Sequence, residues 1–115
     1  MYTKQRTHMR KIETQMNSAI EKGINWHSSN TVVTFDQQSG ESSVYLHGNH
    51  IATIGEGFVQ LFDGGWQSNT TKSRLNAILE YNGLPGERVY QKAYVWNVRL
   101  TDGTSIPFFS GMRLN

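Results

Sequence analysis

Ser43-Val44-Tyr45-Leu46-His47-Gly48-Asn49-His50-Ile51-Ala52-Thr53-Ile54 decides the fold. Two β-rich runs, Ser43 to His47 and His50 to Ile54, flank Gly48-Asn49, a pair that tolerates positive φ and closes a two-residue hairpin. Upstream, Thr31-Val32-Val33-Thr34-Phe35 is a further β-rich run, separated by the turn residues Asp36-Gln37-Gln38-Ser39-Gly40. Downstream, Gly55-Glu56-Gly57 turns the chain into Phe58-Val59-Gln60-Leu61-Phe62. Four strands joined by links this short must run antiparallel, because a parallel crossover needs a dozen residues or more.

On either side the period changes. Lys4 to Lys22 contains no Gly or Pro, and Met9, Ile12, Met16 and Ala19/Ile20 recur at helical spacing, a thin apolar stripe ended by Gly23 at a C′ position. So narrow a stripe packs on one surface, either the domain core or another subunit. Asn25 to Asn30 reads as a loop anchored by Trp26. A second helix is expected over Thr70 to Asn82, burying Leu75, Ile78 and Leu79, with Gly83 as its stop and Pro85 beyond. Val89 to Leu100 reads as one long strand, Asp102-Gly103 as a hairpin turn and Ser105 to Phe109 as the returning strand, which Pro107 confines to an edge. The order α-β-β-β-β-α-β-β, without βαβ alternation, predicts one α+β domain: an antiparallel sheet of about six strands with two helices on one face. Residues 1–23 form its N-terminal helix, a candidate docking arm.

The chain has 115 residues, enough for one modest core. No apolar run approaches the roughly 20 residues that span a bilayer, and the N-terminus leads into a polar helix rather than a secretory h-region. There is no cysteine, which excludes disulfides, thiolate metal sites and a Cys nucleophile. The net charge of +2 is unevenly spread. Residues 1–30 carry five bases against two acids, residues 31–65 carry four acids and no Lys or Arg, and residues 66–115 carry six bases against three acids. Two basic ends flank an acidic middle, an asymmetry that can orient an anionic partner or let the ends pair with the middle.

The entrance to the second helix is the leading candidate site. Asp63-Gly64-Gly65-Trp66-Gln67-Ser68-Asn69-Thr70-Thr71-Lys72-Ser73-Arg74 delivers two cations and no carboxylate to a helix end that is already electropositive. Amides near Asn69 to Thr71, the hydroxyls of Thr70, Thr71 and Ser73, the charges of Lys72 and Arg74 and the indole of Trp66 together predict a phosphate or nucleotide site. The bland alternative makes Ser68 or Asn69 an ordinary N-cap, Trp66 a core residue and Arg74 a partner of Asp63. The second candidate is the long strand, whose alternation puts Tyr90, Lys92, Tyr94, Trp96, Val98 and Leu100 on one face, a platform for stacking bases or else a covered sheet, with Trp96 and Val98 read as core and Tyr90 and Lys92 left to the surface. His47 and His50 flank a turn but lack the further ligands that zinc needs, so no metal and no other cofactor is expected. No nucleophile elbow, His-Glu-x-x-His or close acid pair occurs, and no catalytic residue is named: the expectation is a binding protein, not an enzyme.

Val44-Tyr45-Leu46-His47-Gly48-Asn49, the stretch Gly64 to Ala77 and Pro107-Phe108-Phe109-Ser110-Gly111-Met112 resemble small accessory proteins of tailed bacteriophages. The resemblance covers most of the chain. It implies a viral origin and action in the host bacterial cytoplasm, with host takeover or counter-defence as the role, and it carries no site residue. The expected partner is nucleic acid or a nucleotide. The alternative is a protein-interaction or assembly module, an inhibitor of a host complex or a virion component, docking or forming homo-oligomers through the first helix, with no membrane partner.

Overall fold

The computed structural model describes residues 9–115. It is an α+β fold of two helices and nine strands: α1 (Lys11–Lys22), β1 (Trp26–Ser28), β2 (Thr31–Asp36), β3 (Glu41–Leu46), β4 (Asn49–Gly55), β5 (Phe58–Leu61), α2 (Asn69–Asn82), β6 (Arg88–Lys92), β7 (Val95–Arg99), β8 (Ser105–Pro107) and β9 (Met112–Leu114). The strands form a six-stranded antiparallel sheet ordered β1-β2-β3-β4-β5-β9 and a separate three-stranded sheet ordered β6-β7-β8. The expected class and element order hold. Of the three additional strands, two arise because Trp26 to Ser28, expected as loop, pairs with β2, and Met112 to Leu114 pairs with β5, and the third because 89–100 divides into β6 and β7.

The large sheet alternates as an antiparallel sheet with one covered face should. Val33, Val44, Ala52, Leu61 and Met112 stand side by side across five strands, all 2% exposed or less. The β3–β4 turn lies one residue earlier than its sequence suggests: His47 (φ 53°) and Gly48 (φ 80°) are the two left-handed residues, and Asn49 already opens β4. A register shift between Val44 and Tyr45 leaves Ile51 unpaired, so Ile51 and Ala52 are both buried although adjacent. The bulge also turns His50 outward, where its ring lies between Tyr45 (5.4 Å) and Phe62 (4.3 Å) and its Nε2 hydrogen-bonds Thr53 Oγ1 and the Ala52 carbonyl. His50 is thus occupied by its own strand, and His47 is exposed at the turn.

The first helix begins later than its Gly- and Pro-free run allows. Arg10 is its extended N-cap and Met9 precedes it, so Met9 packs on the core from outside the helix; Lys4 to His8 lie outside the described residues. Gly23 closes α1 in the left-handed conformation (φ 65°), as expected. Met16 is wholly buried and Ile20 is 8% exposed, both in the chain's own core. Met16 and Ile20 of the apolar stripe thus pack within the domain, while Ile12 is half-buried.

Helix α2 packs against β4 and β5 of the large sheet, against α1 and against β6 of the small sheet. Wedged between layers, it buries Thr71, Arg74, Leu75, Ala77, Ile78 and Leu79, a wider arc than a single apolar face. Its stop, Gly83, has φ −91° and ψ −176°, extended rather than left-handed. Glycine is needed there for space, since a Cβ would sit 2.8 Å from the Leu79 carbonyl oxygen.

The expected long strand is two strands. Ala93 (φ 51°) and Tyr94 (φ 66°) form a two-residue turn, so Lys92 pairs with Val95, and Gln91 with Trp96. That turn reverses the face assignment for half of the segment. Val89, Trp96 and Val98 point inward and are buried, while Arg88, Tyr90, Lys92, Val95, Asn97 and Arg99 share the outer face. Two consecutive left-handed residues without Gly, Asn or Asp are costly, by about 1 kcal/mol or more each. Ala93→Asn is accordingly expected to raise the unfolding free energy by about 0.5–1 kcal/mol, because Asn tolerates this conformation better than Ala. Urea unfolding monitored by circular dichroism checks it; an unchanged or lowered midpoint would mean that the turn carries no such strain.

Candidate functional site

The six residues expected around the α2 entrance do not converge. Ser68 is the N-cap, its Oγ accepting from the Thr71 amide at 3.1 Å. The Thr71 side chain is buried against Ser68 Oγ (3.0 Å) and the Trp66 carbonyl (3.3 Å). Ser73 Oγ donates to Glu13 Oε2 at 2.6 Å. Arg74, 3% exposed, turns into the core: Nη1 donates to Glu13 Oε2 (2.8 Å), Nε to Thr31 Oγ1 (3.0 Å) and Nη2 to Asn30 Oδ1 (3.2 Å). Asp63 is not its partner; its carboxylate accepts from the Gly65 amide and from Gln67, holding the loop in shape. The Trp66 indole is 73% exposed, and Thr70, Lys72 and Ser73 are half-buried, Ser73 with its hydroxyl turned to Glu13.

Glu13 explains the arrangement. The first turn of α2 lacks an acid, and α1 supplies one across the interface. A carboxylate there satisfies both the buried guanidinium and the hydroxyl beside it, so the local positive charge is answered inside the fold.

The outer face of the small sheet is the more developed electropositive surface. Arg88 and Arg99 are directly opposed on β6 and β7, and Lys92 lies at the far end beside Val95. Tyr90 stands between Arg88 and Lys92, opposite Asn97, which is opposite Pro107 of β8. The outward strand positions thus hold three cations and no carboxylate. The nearest acids in sequence are held elsewhere: Glu87 Oε1 accepts from the Leu84 amide, and Asp102 Oδ1 accepts from the amide and hydroxyl of Thr104. The Thr104 hydroxyl, and after it the Thr104 amide, keep the Asp102 carboxyl below its ordinary range. Both acids help line an open groove of about 380 Å³ with Leu84, Leu100, Ile106 and Phe109. Tyr94, at the hairpin tip, is 94% exposed and Val95 54%.

This surface was hidden in the sequence by the Ala93-Tyr94 turn, which carries no residue of the usual hairpin chemistry. Read as one strand, 89–100 groups Tyr90 and Lys92 with Trp96 and Val98. Folded as a hairpin, it groups them with Asn97 and Arg99. Among the described residues there is no group of three or more His, Asp or Glu placed to hold a metal ion.

The chain belongs to the Kyanoviridae Gp96 protein family, whose family model matches residues 9–115, and it is therefore a phage protein. No curated protein and no solved structure is significantly similar to it. No described helix is long and apolar enough to cross a membrane.

Proposed function

We propose that this phage protein is a non-enzymatic binding protein of the host cytoplasm that holds a phosphate-bearing partner on the outer face of its small sheet. The carrying observation is the direct cross-strand pairing of Arg88 with Arg99 on a face without a carboxylate. Like charges placed so are destabilising, and a bound anion relieves them. Lys92 extends the charge along β6, about 13 Å from Arg88 at strand spacing, a reach that suits a polyanion better than a single phosphate. In an infected cell such binding would serve host takeover or counter-defence by occupying nucleic acid or a nucleotide.

The test is titration of the protein with inorganic polyphosphate and with a mixed-sequence oligonucleotide at rising salt. Log K is expected to fall by about 2 per log unit of salt, from roughly 0.7 per neutralised phosphate and three cations. Arg88→Ala with Lys92→Ala and Arg99→Ala should remove the binding at physiological salt while the protein stays folded, since the loss of the Arg99 Nε bond to the Gly86 carbonyl (3.1 Å) is offset by relief of the like-charge pair. Retained binding in that variant, together with its loss in Lys72→Ala, would return the site to the α2 entrance.

A further inference from the structure

We infer that the partner on this face is single-stranded nucleic acid, and that Tyr94 stacks on one of its bases. The inference rests on the reading of the basic face given above and adds the part that charge alone does not supply. Tyr94 has a left-handed backbone (φ 66°) beside a second left-handed residue, Ala93 (φ 51°), and its side chain is 94% exposed. A turn of this kind forms most easily from Asn-Gly, which would also keep an apolar ring out of water. Here the chain instead holds an aromatic ring at the apex, in a strained conformation and without packing. Strain retained at an exposed tip points to function at that tip.

The surroundings select the ligand. Lys92 and Val95 form the pair that closes the hairpin, and Tyr90 lies two residues back on the same face, between Lys92 and Arg88. Alternate residues on one strand face are about 6.7 Å apart, so Tyr90 has a cation on either side, and Tyr94 follows in the turn that the Lys92–Val95 pair closes. Aromatic faces interleaved with cations suit a chain that carries a base and a phosphate at every unit, with bases stacking on the rings and phosphates meeting Arg88, Lys92 and Arg99. A duplex keeps its bases stacked on one another and offers this face only phosphates. A lipid surface would require an apolar tip larger than one tyrosine and one valine.

The decisive comparison is Tyr94→Asn, which removes the ring while keeping a residue that tolerates the turn, against Ala93→Asn, which eases the turn and keeps the ring. Both are titrated, beside the unaltered protein, with a single-stranded oligonucleotide, its duplex, inorganic polyphosphate and phosphatidylserine vesicles. The expected result is preference for the single strand, a loss of about tenfold or more in its affinity for Tyr94→Asn, matching one stacked base, and unchanged affinity for polyphosphate. Ala93→Asn should bind as the unaltered protein does. Equal affinity for single strand, duplex and polyphosphate, untouched by Tyr94→Asn, overturns the inference and leaves the basic face as a general polyanion site. Binding to none of the polyanions overturns the reading of the face itself. Capture by vesicles that is lost in Tyr94→Asn, without a matching loss of oligonucleotide binding, overturns the inference in favour of a membrane surface.

Discussion

Glu13→Ala is expected to destabilise the fold by about 3–5 kcal/mol, the cost of removing one member of a buried ion pair. The loss goes beyond one contact. Glu13 Oε2 accepts from both Arg74 Nη1 and Ser73 Oγ, and Oε1 accepts from the Arg10 amide at 3.3 Å. With the carboxylate gone, a guanidinium 3% exposed keeps its charge and, among the described residues, the side chains of Thr31 and Asn30 as partners. A small domain has about 5–15 kcal/mol of stability in all, so the variant should unfold at a much lower urea concentration or fail to accumulate. Arg74→Met should cost a similar amount by stranding Glu13. The double variant Glu13→Leu with Arg74→Met should be markedly more stable than either single loss, because no charge is left buried. Urea midpoints for Glu13→Leu, Arg74→Met and their double variant measure the coupling. Near-additive losses would show that water reaches the pair and that burial does not govern it.

The same pair shows what the sequence could and could not disclose. The absence of an acid from the first turn of α2 is plain in the residues 69–72, and so is the positive charge of Lys72 and Arg74. Which group answers that charge is a question of tertiary contact across 61 residues. Glu13 lies on a helix whose apolar stripe suggested docking but did not say where it docked. Once Met16 packs on the core, Glu13, three residues earlier, faces Arg74, and an apparent anion site becomes an interior ion pair. By contrast, the hairpins, the αL stop at Gly23 and the Ser68 cap were legible because their chemistry is local. The Ala93-Tyr94 turn was not, because it violates the local rule that would have announced it. Reading a continuous period of two across it inverted the outer face, since a two-residue turn pairs position 92 with 95 and shifts the alternation by one. The basic face was therefore present in the composition, as Arg88, Lys92 and Arg99, but not in the pattern.

Asn76→Ala is expected to cost about 2–3 kcal/mol and to loosen the small sheet before the rest of the fold. Asn76, on α2, treats β6 as a neighbouring strand would: its Nδ2 donates to the Val89 carbonyl at 2.9 Å and its Oδ1 accepts from the Val89 amide at 2.8 Å. β6 is an edge of its sheet, so this side chain satisfies backbone groups that no strand reaches. Alanine leaves the N–H and C=O of the buried Val89 without those partners, at about 1–3 kcal/mol each before water enters. Amide hydrogen exchange should accelerate first in β6, β7 and β8, while β2, β3 and α1 keep their protection. Asn76→Asp adds a test of direction. At neutral pH its carboxylate can still accept from the Val89 amide but repels the Val89 carbonyl, so the variant should be no more stable than alanine. That repulsion raises the pKa of the new acid in the folded state. The folded protein then binds the proton more tightly than the unfolded chain, and relative to wild type the variant should gain stability as pH falls toward about 4, where a protonated carboxyl can donate to the carbonyl again. A stability difference from wild type that stays flat between neutral pH and about pH 4 would mean that the Val89 carbonyl does not depend on this side chain.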